Sequence, residues 1–143
     1  VRLVGSEMCI RDRINREIIT NYCLLYQRGN AHCLEVWDNE KLIGGLYGVS
    51  IGAVFFGESM FSKKSNASKI ALAYLVNRLK ETGFKLFDTQ FLTPHLASLG
   101  AIEIPKTEYK ILLFKAVEEV ANFCASSYSP DVSAIAQRRA QTS

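Results

Sequence analysis

Residues 31–60 read AHCLEVWDNEKLIGGLYGVSIGAVFFGESM, and the fold follows from how this stretch is parsed. Ala31 to Trp37 alternates weakly between apolar and polar side chains, the two-residue period of a strand with one buried face. Leu42 to Val49 is apolar and carries glycines, and the polar turn Asp38-Asn39-Glu40-Lys41 between them predicts an antiparallel hairpin. Ser50-Ile51-Gly52 then leads into a third strand, Ala53 to Met60.

Toward the C-terminus, Leu72, Leu75, Val76 and Leu79 fall at i, i+3, i+4 and i+7, the apolar stripe of a helix. Ser65 or Asn66 can cap its start, it runs to about Thr82, and Gly83 supplies the stop. Phe84 to Phe91 reads as a buried strand, Pro94 to Leu99 as a short helix, Ala101 to Ile104 as another short strand and Glu108 to about Phe123 as a final helix. On the N-terminal side, Ile18, Tyr22 and Leu25 share one helical face that ends at Gly29. Hairpin strands followed by helix, strand and helix predict a mixed sheet with helices packed on it, in the α+β to α/β range.

The 143 residues amount to about one domain. With 48% hydrophobic and 22% charged residues the composition is that of a core-former, which excludes a disordered chain. The apolar runs are too short to span a bilayer as helices. A net charge of +3 is too small to name a partner. Cys9, Cys23, Cys33 and Cys124 form no C-x-x-C pair, which points to reduced thiols in a cytoplasmic protein, and with only His32 and His95 no His-rich metal site is expected. Residues 1–13, VRLVGSEMCIRDR, have neither strand alternation nor the apolar centre of a signal peptide and are expected to be non-native linker read-through. Residues 14–123 then form the domain, and the Ser/Ala/Gln-rich residues 124–143 form a flexible tail.

Gly44-Gly45-Leu46-Tyr47-Gly48, Phe56-Gly57-Glu58-Ser59-Met60-Phe61-Ser62, Ala67-Ser68-Lys69, Asp88-Thr89-Gln90 and His95-Leu96-Ala97-Ser98-Leu99-Gly100-Ala101 are too specific for bland packing. In this order and spacing they resemble the bacterial leucyl/phenylalanyl-tRNA-protein transferases, continuously from about Ile14 to Tyr109. The resemblance implies transfer of leucine or phenylalanine from aminoacyl-tRNA to the N-terminal arginine or lysine of acceptor proteins, which marks them for degradation in an N-degron pathway. It implies the N-acetyltransferase (GNAT) fold for this domain and a further N-terminal domain, absent here, that carries part of the tRNA-binding surface. Arg13 stands where the family has tryptophan. Lys63 stands where many members have arginine, keeping the charge but losing the bidentate fork for phosphate.

Positions i and i+2 of a strand share a face, so Asp88 and Gln90 are expected to present a carboxylate and an amide side by side. The resemblance assigns them the catalytic relay: Asp88 polarises Gln90, whose carbonyl oxygen accepts a hydrogen bond from the attacking α-amino group. That amine titrates at about 7.7–8.0, so a useful fraction is already neutral and Gln90 needs only to orient it. The proton leaves through the departing ribose oxygen or water. Glu58, between Phe56-Gly57 and Met60-Phe61, is a carboxylate in apolar company that needs a partner. A buried salt bridge would satisfy it. The family's matching glutamate lies at the active centre, so it is expected to receive a cation, either the acceptor's side chain or the donor's ammonium.

Leu46 and Met60, with Leu75 and Leu79 from the helix, are expected to line the pocket for the transferred side chain, although core packing explains the helix pair almost equally well. Burying a leucine or phenylalanine there is worth about 1.5–3 kcal/mol, and a flexible Met60 lets one pocket accept both shapes. From Ser62 to Lys80 the chain has basic residues and no acidic one. Lys63, Lys64 and Lys69 are the expected contacts for tRNA phosphates, a solvated face being the plain alternative.

Neither a metal nor an organic cofactor is implied, because the aminoacyl ester is already activated. The rival readings are an acetyl-CoA-dependent N-acetyltransferase of the same fold and an inactive fragment that binds aminoacyl ends or protein N-termini. Against the first, Phe61 to Asn66 contains no glycine with which to cradle a pyrophosphate.

Overall fold

Ile18, Tyr22 and Leu25 lie on α1 (Arg16–Gln27), the first element of a computed structural model that describes residues 16–125. The helix closes in a Schellman arrangement: Gly29 adopts φ 77°, its N–H donates to Tyr26 O at 2.9 Å, and the Asn30 N–H donates to Leu25 O at 2.8 Å. Strands β1 (Ala31–Asp38) and β2 (Lys41–Ile51) form the expected antiparallel hairpin, from Ala31 opposite Val49 to Asp38 opposite Lys41. Asn39 turns the chain in the left-handed region, φ 51°, where asparagine is tolerated better than most residues. Gly52, at φ 56°, makes the next turn, and a Cβ there would lie 2.2 Å from Val117 O.

Strand β3 (Val54–Ser62) pairs antiparallel with β2, and β4 (Leu86–Asp88) pairs parallel with β3. A parallel pair needs a crossover, and α2 (Ala67–Glu81) supplies it. The four strands stand in the order β1-β2-β3-β4, a mixed sheet in an α+β architecture. A short helix α3 (Pro94–Ala97) and a longer α4 (Lys106–Glu118) complete the described elements.

The core lies between the sheet and α2. Ala71, Leu72, Leu75 and Leu79 meet Leu46, Phe55, Phe84, Leu96 and Phe123 there. Phe55 is its centre, stacked on Phe123 at 5.6 Å between ring centroids and edge-on to Phe84 and Phe87. Gly44 lets α2 approach the sheet closely, since a Cβ there would lie 2.6 Å from Ala67 Cβ.

Several expected boundaries shift. Asn66 holds the N-cap position of α2 but sits at φ 66° and makes no side-chain cap; instead Ser62 Oγ accepts the Ser68 N–H at 3.3 Å and donates to Lys64 O at 2.7 Å. The strand expected over Phe84 to Phe91 contracts to Leu86–Asp88, because Gln90 turns the chain out of the sheet at φ 67° and leaves Phe91 68% exposed. No strand forms over Ala101 to Ile104, where Ile102 faces solvent. The final helix ends at Glu118 rather than near Phe123. Glu119 is extended, and the chain folds back so that Phe123 is buried. Residues 1–13 and most of the 124–143 tail lie outside the described residues.

Candidate active site

Tyr47 pairs with Ser59 and Gly48 with Gly57, so Glu58 is the extra residue of a β-bulge. A bulge interrupts the alternation of faces and re-aims a side chain. Glu58 is therefore exposed, despite its apolar neighbours in sequence. Its neighbour from α1 is Tyr22, which feels the charge of Glu58 and packs edge-on against Tyr47, at 5.7 Å and 88°. Burial first, then the charge of Glu58, hold the Tyr22 hydroxyl well above the ordinary tyrosine range. The phenol thus stays protonated beside the carboxylate.

Strand β4 stops pairing at Asp88, opposite Phe56, while β3 continues to Ser62 along β2. The gap this leaves beside Gly57 is where Asp88 and Gln90 come together. Their geometry differs from that of two residues on one strand face. Gln90 has left the strand and lies at φ 67°, and its backbone N–H donates to Asp88 Oδ1 at 2.6 Å. The Gln90 side chain donates through Nε2 to Gly57 O at 3.0 Å, which leaves Oε1 as the acceptor end of the amide. Asp88 Oδ2 accepts the Tyr109 hydroxyl, from the first turn of α4, at 2.5 Å. Burial, followed by the hydrogen bond to Asp88 and its charge, pushes the Tyr109 phenol up to about 12. Asp88 and Gln90 thus meet at Gly57, the residue before Glu58, with the Asp88 carboxylate acting on the Gln90 backbone and not on its amide.

The apolar residues divide. Leu46 lies directly opposite Met60 across the β2–β3 pair. Leu75 is fully buried and Leu79 nearly so, both within the core cluster, and Met60 packs against that cluster. None of these four lines the open groove of about 360 Å³ between β1 and α2, whose walls are Leu34, Glu35, Val36, Trp37, Ile70, Tyr74 and Arg78. The basic residues divide as well. Lys64 is ion-paired with Asp38 at the hairpin turn, Lys63 is exposed, and Lys69 is half-buried in the first turn of α2. Arg78 lies over the Phe123 ring at 5.1 Å and donates to Phe123 O at 2.9 Å.

The sequence profile of the leucyl/phenylalanyl-tRNA protein transferase family matches residues 8–114, which include every residue of the convergence just described. The chain belongs to this family. Leucyl/phenylalanyl-tRNA–protein transferases of Ruegeria pomeroyi and Cereibacter sphaeroides are 58% and 55% identical to it over 131 and 130 residues, 91% of this chain in each case. One from Roseobacter denitrificans is 60% identical over 110 residues, 77% of the chain. The chain spans 61% of the length of the first two relatives and 52% of the third.

Two residues of this transferase-family site were not singled out from sequence. Tyr22 was visible only as a helix-face residue, and Tyr109 only as the last residue of the resemblance. Neither stands at a local spacing from the acid it contacts, so no periodicity could have linked them. Among the described residues no group of three or more metal-ligating side chains occurs, and no helix is long and apolar enough to cross a membrane.

Proposed function

We propose that this chain is the catalytic part of an aminoacyltransferase that moves leucine or phenylalanine from aminoacyl-tRNA to the N-terminal arginine or lysine of acceptor proteins in the cytoplasm. The observation that carries the reading is the family match across the strands and turn that join Asp88, Gln90 and Glu58. The hairpin, β3, α2, β4 order supports a GNAT-like fold as its frame.

In this reading the neutral α-amino nitrogen attacks the ester carbonyl carbon of the aminoacyl-tRNA. The new C–N bond is the peptide bond; the ester C–O bond to the terminal ribose breaks, and the amine's proton ends on the departing ribose oxygen, directly or through water. Gln90 acts by position: its amide, tethered through Nε2 to Gly57, offers Oε1 to the incoming N–H. Glu58, exposed beside Tyr22, receives a cationic group of acceptor or donor. The Leu46–Met60 pair offers the apolar surface for the transferred side chain, while Leu75 and Leu79 support it from beneath. Lys63 and Lys69 provide charge for tRNA phosphates; Lys64 joins them only by sharing its charge with Asp38.

The test is transfer of radiolabelled leucine from leucyl-tRNA to a peptide beginning with arginine. It is run with this chain alone and with this chain replacing the matching part of the Ruegeria pomeroyi relative. Transfer by the chimera, lost in Asp88→Ala and Gln90→Ala, is the expected result. A folded chimera that is silent while the parent relative is active would overturn the assignment, and acetyl transfer from acetyl-CoA in its place would support the rival chemistry.

A further inference from the structure

Asp88 has two carboxylate oxygens, and each has a protein partner. Oδ1 accepts the Gln90 backbone N–H at 2.6 Å, which closes the turn that holds Gln90 at φ 67°. A residue with a Cβ stays in this region only where its surroundings over-determine it. Oδ2 accepts the Tyr109 hydroxyl at 2.5 Å, from a separate element whose backbone is itself fixed: the Tyr109 N–H donates to Pro105 O at 2.9 Å. We infer that Tyr109 is a positioning residue: its hydroxyl anchors Asp88, Asp88 holds the Gln90 backbone in the left-handed turn, and the turn sets the Gln90 amide against Gly57. This inference rests on the reading of Gln90 as the group that orients the attacking amine.

A tether for α4 alone does not account for the contact. That helix is already attached near its other end, where Ala116 is buried and its carbonyl accepts the Ala53 N–H at 2.8 Å. Its apolar Ile111 and Phe114 face solvent, so Tyr109 is not one member of a broad packed face. What the hydroxyl adds is local. With Oδ2 unanchored, the carboxylate can rotate, and the Oδ1 bond that pins Gln90 is weakened. The high pKa of the phenol, about 12, keeps it a donor throughout the neutral range. An anchor that touches neither substrate should change kcat and leave KM alone.

Tyr109→Phe removes the hydroxyl and keeps the ring. The expected result by backbone amide hydrogen exchange is an acceleration at Gln90 of about 10-fold or more, with Phe55 and Leu75 unchanged. In the chimera, kcat for leucyl transfer should fall roughly 10- to 100-fold at constant KM, the range of a lost hydrogen bond to a charged group, and adding the substitution to Asp88→Ala should cost nothing further. Unchanged Gln90 exchange overturns the inference, as does a full additional loss in the Asp88→Ala background. If Tyr109→Phe does not fold, Asp88→Asn is measured instead, since it keeps the shape and weakens the acceptor; Gln90 exchange must then accelerate, or the inference fails. Faster Gln90 exchange in Tyr109→Phe together with transfer indifferent to Gln90→Ala upholds the anchor and removes the role of Gln90 that it serves.

Discussion

At the residue scale, Gln90 combines an unfavourable backbone with a useful side chain. Its φ of 67° is tolerated because the Asp88 carboxylate takes its N–H and Gly57 takes its amide. Gln90→Gly separates the two contributions. The left-handed strain, about 1–2 kcal/mol, disappears, while the greater freedom of glycine in the unfolded chain gives back about 0.5–1 kcal/mol. Losing the Nε2 bond to Gly57 O costs a further amount of about 0.5–1.5 kcal/mol, so thermal unfolding should show a variant within about 1.5 kcal/mol of the parent. Leucyl transfer should nonetheless fall about 100-fold, the cost of losing the positioned acceptor. A Gln90→Gly variant that keeps full transfer would mean that the turn matters and the amide does not. The closeness of Asp88 and Gln90 was legible from their spacing, but for the wrong reason. A strand was expected to place them on one face, whereas a turn closed by Asp88 itself brings them together. The Asp88–Tyr109 contact spans 21 residues, and no local rule reaches that far.

At the scale of elements, short-range signals succeeded where neighbours in sequence are neighbours in space. The hairpin formed as read, since a polar turn between two apolar runs has one economical way to bury both, and α2 formed because its i, i+3, i+4, i+7 stripe needed the sheet. The failures share a cause. Phe84 to Phe91 is apolar enough for a long strand, yet pairing ends at Asp88 although β3 continues to Ser62, because Gln90 turns the chain away at φ 67°, so composition overstated its length. The bulge at Glu58 was equally invisible, because an extra residue in one strand is defined only by the register of the other. Gly44 connects β2 to α2 and offers a test. In Gly44→Ala the added Cβ would stand 2.6 Å from Ala67 Cβ, so the start of α2 must move outward. Denaturant unfolding should register a loss of about 1–3 kcal/mol, the usual cost of overpacking. A loss below about 0.5 kcal/mol would show that α2 is not seated through Gly44.

At the scale of the whole molecule, the C-terminal end of the described chain closes over the sheet. Phe123 folds back after α4 and stacks on His32 of β1 at 4.3 Å and on Phe55 of β3. His32 is buried, its Nε2 sits 2.8 Å from Ser50 Oγ, and desolvation, aided by the charge of Arg78, lowers its pKa to about 4. In the unfolded chain it titrates at 6.5, so between these values the unfolded state binds the extra proton. Stability is therefore present above about pH 6.5 and is lost as the pH falls toward about 4, by up to about 3 kcal/mol from this group. Thermal unfolding across that window should slope downward toward acid, and His32→Gln, less stable at pH 7, should slope less. Equal slopes in the two proteins would show that His32 does not stay neutral in the folded state.

The sequence by itself determined the class of fold, its main strands and the family, since hydrophobic period, turn residues and motif order are local properties of a linear chain. The family match then agreed with what those motifs resemble. Tertiary structure alone decided that Glu58 is a bulged residue beside Tyr22, that a turn and not a strand presents Gln90, that Tyr109 holds Asp88, and that Lys64 and Arg78 already have partners. Each of these depends on strand register or on a contact between distant segments. Such contacts form when the whole core closes, and no window of neighbouring residues contains them.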